Sequence, residues 1–357
     1  MGRDVLFVYT VLHPFVKMDL ELLSDRYHVT PYKFDSSKKW NSMVLSFVKQ
    51  LWFLLIHHKK FDTVYCFFPG YQSFLPMLFG KILGWKKIIV IAGFDGVSIP
   101  NIKFGAFFKK NLFQKAIVAS YRMADYILAV DPSLLSGMNY YADPTGKGYP
   151  IGIQNFVTGL KAEMLFIPFG YEANQWPIIK GITRKRAVVT VGNASDRTIF
   201  QRKGFDFLLE IASEMPEVEF HFIGLHGKIL EDVKPMASSN VRFLGYVPFM
   251  ELPKILQEYK VFAQLSLSEG MPNSLSEAML CGCIPVGSNV NGIPTVIGDC
   301  GFLLEKKDIE LAKELFIKAL NAPMELSESA RRRVMENYPL ERRKKEIFQV
   351  IDQIKLK

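Results

Sequence analysis

The sequence predicts an α/β protein built of two parallel-sheet domains that face each other across a cleft. Three observations lead there. Apolar, β-branched runs alternate with segments of helical spacing, the pattern of parallel strands covered by helices on both faces. That pattern runs through residues 5–169 and restarts near 187. The 357 residues also exceed one ordinary core, at about 150 residues per domain.

Strands are expected in the first half at 5–10, 29–34, 63–68, 87–93, 126–130 and 164–169. Helical spacing lies between most of them, at 42–57, 74–83 and 103–123. The second half repeats the scheme, with strands at 187–192, 219–224, 241–246, 261–266 and 284–288. Its helices are expected at 205–215, 228–237, 249–258 and 274–281. The turn-rich stretch IPFGYEANQWP, 167–177, marks the break, giving domains 1–170 and 171–338. Residues 309–320 and 327–356 have helical spacing, the last basic and amphipathic.

Composition excludes several classes. Hydrophobic residues make up 49%, which is no disordered chain. The longest apolar runs, such as LWFLLI at 51–56, are far shorter than the ~20 residues of a membrane-spanning helix. No cleavage site follows VLFVYT, so no signal peptide is expected. Cys66, Cys281, Cys283 and Cys300 lack zinc-site spacing and read as small apolar fillers in a reducing compartment. The net charge is +9, and residues 1–175 carry most of the excess, with 19 Lys and Arg against 12 Asp and Glu. A basic surface suits nucleic acid, phosphorylated ligands or an anionic membrane. No zinc-finger or RRM signature is present, so nucleic acid is not an expected partner.

In open parallel sheets, ligands bind beyond the carboxyl ends of the strands. The chemistry-bearing stretch at such an end is SLSEGMPNSLSEAMLCGCIPVGS, 266–288. Glu269 follows a strand; Gly270, Met271 and Pro272 form a loop; a helix starts near Asn273 or Ser274. Ser274-x-x-Glu277 also has the spacing of a capping box, in which Glu277 only reaches back to the cap backbone. A helix N-terminus at the cleft edge is equally an anion site, and carboxylates beside it accept hydrogen bonds from sugar hydroxyls. The spacing suits a phosphate flanked by polyols, as in a nucleotide sugar.

These residues resemble glycosyltransferase family 4, retaining enzymes of the GT-B fold with two Rossmann-like domains. The likeness rests on Glu-x7-Glu followed by EAMLCGCIPVGSNVNGIPTVIGDCGFLL, and on VVTVGN, RKGFDFLLEIA, EFHFIGLHG and NVRFLGYVP in order, covering about 186–305. FIPFG resembles the interdomain Pro-x-Gly. The resemblance implies that Glu269 holds donor-sugar hydroxyls and Glu277 the ribose. Gly270, Met271, Pro272, Asn273, Ser274 and Leu275 would line sugar and diphosphate, and Tyr246 and Val247 the base. Lys203 matches the family's diphosphate lysine. The usual arginine position holds Asn193, so Arg197 or Arg202 is expected to join Lys203. The C-terminal helix, 339–357, is expected to cross back to the first domain.

The first half departs further. The glycine-rich first loop is replaced by TVLHPFVKMD, 10–19, and no histidine follows the strand ending in IAGFDGVS, 91–98. Asp95 is the nearest matching carboxylate, with a turn-forming role beside Gly96 as its alternative. His13 is a second candidate, or a surface histidine. The implied reaction moves a hexose-type sugar from a UDP- or GDP-linked donor to a glycan or lipid-linked glycan, with retention. No Asp-x-Asp occurs, and neither metal nor other cofactor is expected. The alternatives are a non-catalytic GT-B nucleotide-binding or scaffold protein and a sugar-nucleotide epimerase. The expected location is cytoplasmic, peripheral on the inner membrane face. Residues 102–123 set Phe104, Phe107, Phe108, Leu112 and Phe113 among lysines, and 43–60 carry Trp52 and Phe53 before His-His-Lys-Lys. Such helices lie on an anionic membrane or bury on the sheet, with 102–123 the stronger membrane candidate.

Overall fold

A computed structural model describes residues 3–36, 40–179 and 181–353. The first sheet contains β1 (Asp4–Tyr9), β2 (His28–Lys33), β3 (Thr63–Phe67), β4 (Lys86–Ile91) and β5 (Tyr126–Ala129). A hairpin follows, β6 (Gly137–Asn139) with β7 (Tyr149–Ile151), and β8 (Glu163–Phe166) completes that sheet. The second sheet holds β9 (Lys185–Ala194), β10 (Glu219–Leu225), β11 (Val241–Gly245), β12 (Tyr259–Gln264), β13 (Ile284–Ser288) and β14 (Phe302–Leu304). Strand order is β2-β1-β3-β4-β5-β8 in one sheet and β11-β10-β9-β12-β13-β14 in the other. Every strand pairing within these two sheets is parallel, whereas the hairpin is antiparallel. β3, β4, β5 and β13 are buried at every position, which their continuous apolar runs require.

The two-sheet architecture is the expected one, and local departures have identifiable causes. β6, β7 and β14 span three residues each, too short for a periodic signal. Within 10–19, expected to be loop, Pro14 opens a helix, Pro14–Ser24; its fixed φ suits a first helical position. The loop expected before Lys203 contains helix Arg197–Arg202, whose start is capped by Asp196 Oδ1 accepting the Ile199 N–H at 2.9 Å. The last helix is two, Met324–Asn337 and Leu340–Asp352, broken at Pro339, which has no N–H to continue the ladder. Residues 354–356 of that expectation lie outside the described residues.

Residues 103–123 are not one helix. It begins only at Leu112, where Asn111 Oδ1 accepts the Gln114 N–H at 2.9 Å. Upstream the chain turns, with Lys103 at φ +53° and Gly105 at +107°. Of the side chains that suggested a membrane face, Phe107 is buried, Phe104, Phe108 and Phe113 are half-buried, and Leu112 is exposed. Phe107 stacks on Phe156 at 4.5 Å, and Phe113 meets Tyr71 edge-on at 5.2 Å.

Helix Leu340–Asp352 packs on the first domain. Arg343 Nε and Nη2 donate to both oxygens of Asp19 at 2.6 Å, and Tyr27 donates to Asp352 at 2.9 Å. Lys86 Nζ donates to the carbonyls of Val350 and Ile351, each at 2.8 Å.

Candidate functional site

In the second sheet, chain direction across the sheet reverses between β9 and β12, the switch point where a crevice opens at the carboxyl ends. The residues past both strands meet there. Helix Arg197–Arg202 carries the chain from β9 to Lys203, and Glu269 follows β12. Lys203 Nζ donates to Glu269 Oε1 at 2.7 Å, Arg202 Nη1 lies 3.1 Å from the same oxygen, and Ser266 Oγ donates to it at 3.0 Å. Arg202 also donates to the Ser268 carbonyl at 3.0 Å. Burial alone would raise the Glu269 carboxyl; Lys203 and Arg202 overcome that and hold it at about 2. Two cations against one carboxylate leave the cluster a surplus positive charge, suited to an anion.

Beside the cluster begins helix Asn273–Leu280. Its cap residue is Pro272, with no side-chain cap bond, so the capping-box alternative is not formed. Ser274 Oγ turns to Gln264 Oε1 at 3.1 Å, and Gln264 Nε2 donates to Ser266 Oγ at 2.7 Å. The N–H groups of Leu275 and Ser276 fold back on the Pro272 carbonyl; those of Asn273 and Ser274 have no partner among the described residues. Burial lifts the Glu277 carboxyl to about 7, and its oxygens have no hydrogen bond among the described residues. Met271 and Leu275 are core residues at 5% and 0% exposure, so only their backbone can meet a ligand.

The first domain closes onto this loop. The backbones of Ala92 and Gly93, past β4, pack against Gly270 so tightly that a methyl group there would collide with the Ala92 carbonyl. Gly93 sits at φ +145°, which favours glycine. Asp95, two residues on, is buried; its carboxylate accepts the Ala92 N–H at 3.2 Å, and burial raises it to about 7. Asn139 of the hairpin donates to the Leu267 carbonyl at 2.7 Å. Asn291 accepts the Glu269 N–H at 3.2 Å and donates to Ser133 at 3.3 Å. The Arg202 guanidinium lies 5.2 Å over the Phe104 ring, and Tyr171 donates to Asn273 at 2.7 Å.

Of the residues singled out from sequence, Lys203, Arg202 and Glu269 are in direct contact, and Gly270, Asn273 and Ser274 adjoin them. Arg197 is exposed and makes no contact with the cluster, so Arg202 is the arginine beside Lys203. His13 caps helix Pro14–Ser24, exposed and stacked on Phe15 at 5.3 Å. Tyr246, 78% exposed, and Val247 follow edge strand β11 without contacting the cluster. Sequence reading missed Ser266, Asn139, Asn291 and Tyr171. Only the Asn-Gly dipeptide at 291–292 offered a local signal, since Asn tolerates the positive φ found there, +46°.

The family model described as Glycosyl transferases group 1 matches residues 185–321, the second sheet with its helices. Over 80 residues, 22% of this chain, the sequence is 35% identical to O-antigen chain mannosyltransferase B of Escherichia coli, covering 21% of that protein. Over 115 residues, 30% of this chain, it is 32% identical to one subunit of the phosphatidylinositol N-acetylglucosaminyltransferase of Arabidopsis thaliana, covering 26% of that protein. These matches thus span about a fifth to a quarter of the curated relatives. The fold is similar to that of Anabaena HepE crystallised with UDP and glucose, with a TM-score of 0.68 at 14% identity, covering 99% of this chain and 100% of that one. Sucrose-phosphate synthase of Thermosynechococcus elongatus aligns with a TM-score of 0.71, also at 14% identity, covering 98% of each chain. The arrangement is the GT-B fold predicted from sequence.

Proposed function

We propose that this chain is a retaining glycosyltransferase of the family 4 type, transferring a hexose-type sugar from a nucleoside diphosphate donor to a glycan or lipid-linked glycan. The observation that carries the reading is the partly buried Lys203–Arg202–Glu269 cluster at the β9/β12 switch point, set against N–H groups at the start of helix Asn273–Leu280 that have no partner among the described residues. The matched family, and the UDP held by the Anabaena neighbour, support a nucleotide-sugar donor.

In this reading the diphosphate lies between Lys203, Arg202 and the Asn273 and Ser274 N–H groups. Departure of a nucleoside diphosphate concentrates negative charge on its oxygens, and fixed cations and dipoles lower that barrier. They supply the charge that a metal ion would otherwise bring, so the reaction needs no metal. Glu269 accepts from donor-sugar hydroxyls, and Glu277 from the ribose. With no enzymic nucleophile assigned, substitution proceeds on the front face, and the departing phosphate oxygen takes the acceptor proton. Asp95 orients the acceptor hydroxyl from the facing domain. The enzyme works in the cytoplasm, at the inner face of a membrane when its acceptor is lipid-linked.

Thermal unfolding with UDP, GDP, ADP, dTDP and CMP, without metal, tests this. A ligand at 100 times its dissociation constant adds about 2.7 kcal/mol of stability. One nucleotide is expected to shift the native chain and not Glu277→Ala. No shift at millimolar nucleotide overturns the reading.

A further inference from the structure

Helix Trp40–His57 is amphipathic the wrong way round for a helix on a soluble domain. Its inward face carries Ser46, Gln50 and Leu54, at 7%, 1% and 0% exposure. Inside, Gln50 Nε2 donates to the Gln72 carbonyl at 2.8 Å and Ser46 Oγ to the Ser42 carbonyl at 2.9 Å, while Gln50 Oε1 has no partner among the described residues. Outward, at spacings of one helical face, stand Val44, Val48, Leu51, Trp52, Leu55 and Ile56, each 40% exposed or more. Six large apolar side chains in one stripe are not the scattered exposure of an ordinary surface.

The stripe is continuous with an apolar groove of about 440 Å³, lined by Met43, Phe47, Tyr71, Phe74, Leu112 and Ala116, with Lys115 at its edge. Leu112 is itself 60% exposed. Its apolar lining suits a hydrocarbon chain.

The charge around this face is one-sided. Residues 35–125 contain 13 Lys and Arg against four acidic residues, Asp35, Asp62, Asp95 and Asp125, an excess of nine that equals the net charge of the whole chain. Asp95 is buried, and Asp35 stands exposed at the start of the helix, 3.5 Å from Ser42 Oγ. Lys49 rises from the helix beside the stripe, and Lys59 and Lys60 stand exposed just past its end.

We infer that the outward face of helix Trp40–His57 docks the protein onto an anionic lipid surface, with the groove receiving a lipid chain. Apolar side chains enter the headgroup layer while flanking lysines meet lipid phosphates, and neither half binds stably alone. The surface is independent of the nucleotide site. Of residues 102–123, Leu112, Lys115 and Ala116 line the groove and so adjoin this face.

The test is co-sedimentation of the full chain with vesicles of phosphatidylcholine alone or mixed with phosphatidylglycerol, with no nucleotide present. Failure therefore leaves the nucleotide thermal-shift test unaffected. The native chain is expected to sediment with the anionic vesicles at low salt, with a blue shift of tryptophan emission that Trp52→Phe reduces; Trp85 and Trp176 are already buried. Val48→Glu with Trp52→Glu is expected to abolish sedimentation while leaving the unfolding midpoint unchanged, because both side chains are exposed. Lys59→Ala with Lys60→Ala is expected to weaken partitioning by roughly fivefold per charge. No sedimentation of the native chain, equal sedimentation with neutral vesicles, or equal sedimentation of the Glu variant overturns the inference. A dimer lost in the Glu variant, without vesicle binding, overturns it and assigns the face to a second copy of the chain.

Discussion

Glu269 and Glu277 stand eight positions apart and have opposite electrostatics, for reasons visible around each. Glu269 is partly buried but has Lys203 and Arg202 on one oxygen, which hold it at about 2. Glu277 is partly buried with only the more distant field of Lys203 to offset desolvation, and it rises to about 7. The linkage follows from proton counting. The depressed Glu269 contributes stability above its ordinary 4.5 that is lost as pH falls toward 2. The raised Glu277 binds a proton in the folded chain between 4.5 and about 7 that the unfolded chain has released, so its contribution declines as pH rises through that window. Unfolding midpoints across pH are expected to show both limbs. Glu277→Gln flattens the decline toward neutrality, and Glu269→Gln flattens the acid limb. Identical pH curves for native and variant chains would contradict these assignments. The identities of Lys203 and Glu269 were legible in the sequence. Their mutual contact was not, because 66 residues separate them and only β9 and β12 lying side by side joins them.

At the scale of the element, the loop between β12 and helix Asn273–Leu280 is held from the facing domain as well as from its own, where Arg202, Lys203 and Asn291 bond to it. Asn139 and Ser133 bond to it or its partner Asn291, and Ala92 and Gly93 press on Gly270. Gly270 is required because no side chain fits against the Ala92 carbonyl. Gly270→Ala is expected to pry the domains apart rather than unfold them, read as a larger radius of gyration in small-angle scattering with the nucleotide-induced shift reduced. An unchanged radius would show that the loop yields locally. Strand runs were legible because burial on both faces writes them as continuous apolar stretches. Helix Trp40–His57 was legible as a helix, but its orientation was not. Periodicity alone points its apolar stripe inward, whereas Gln50 and Ser46, each donating to a backbone carbonyl, occupy that side.

At the scale of the whole molecule, the chain ends by returning to where it began. Arg343 and Asp19 form a bidentate pair at 1% and 0% exposure, and Arg343 also donates to the Ile167 and Pro168 carbonyls at 2.9 Å, at the start of the interdomain stretch. Tyr171 in that stretch pairs with Pro339 and donates to Asn273 at the site. One buried arginine therefore ties the first sheet, the interdomain stretch and the last helix together. Arg343→Ala leaves Asp19 charged in the core with only the Tyr65 hydroxyl donating to it, at 2.7 Å, a loss of about 3 kcal/mol. Chemical denaturation is expected to show that loss, with most of it recovered when Asp19→Asn is added, since the stranded charge is then gone. An undiminished midpoint for Arg343→Ala would remove the tie.

By itself the sequence determined the two parallel sheets and the carboxylates and lysine beyond the strands of the second sheet. These are local signals, carried by apolar runs and the residues next to them. Only the tertiary structure decided that Arg202 rather than Arg197 joins Lys203, that Asn139 holds Leu267 and Asn291 holds Glu269, and that the apolar face left outward belongs to helix Trp40–His57. Each of those depends on which elements pack together across the cleft or against the sheet. A linear pattern does not encode such pairings, because the same spacing fits more than one neighbour until burial and hydrogen-bond satisfaction select between them.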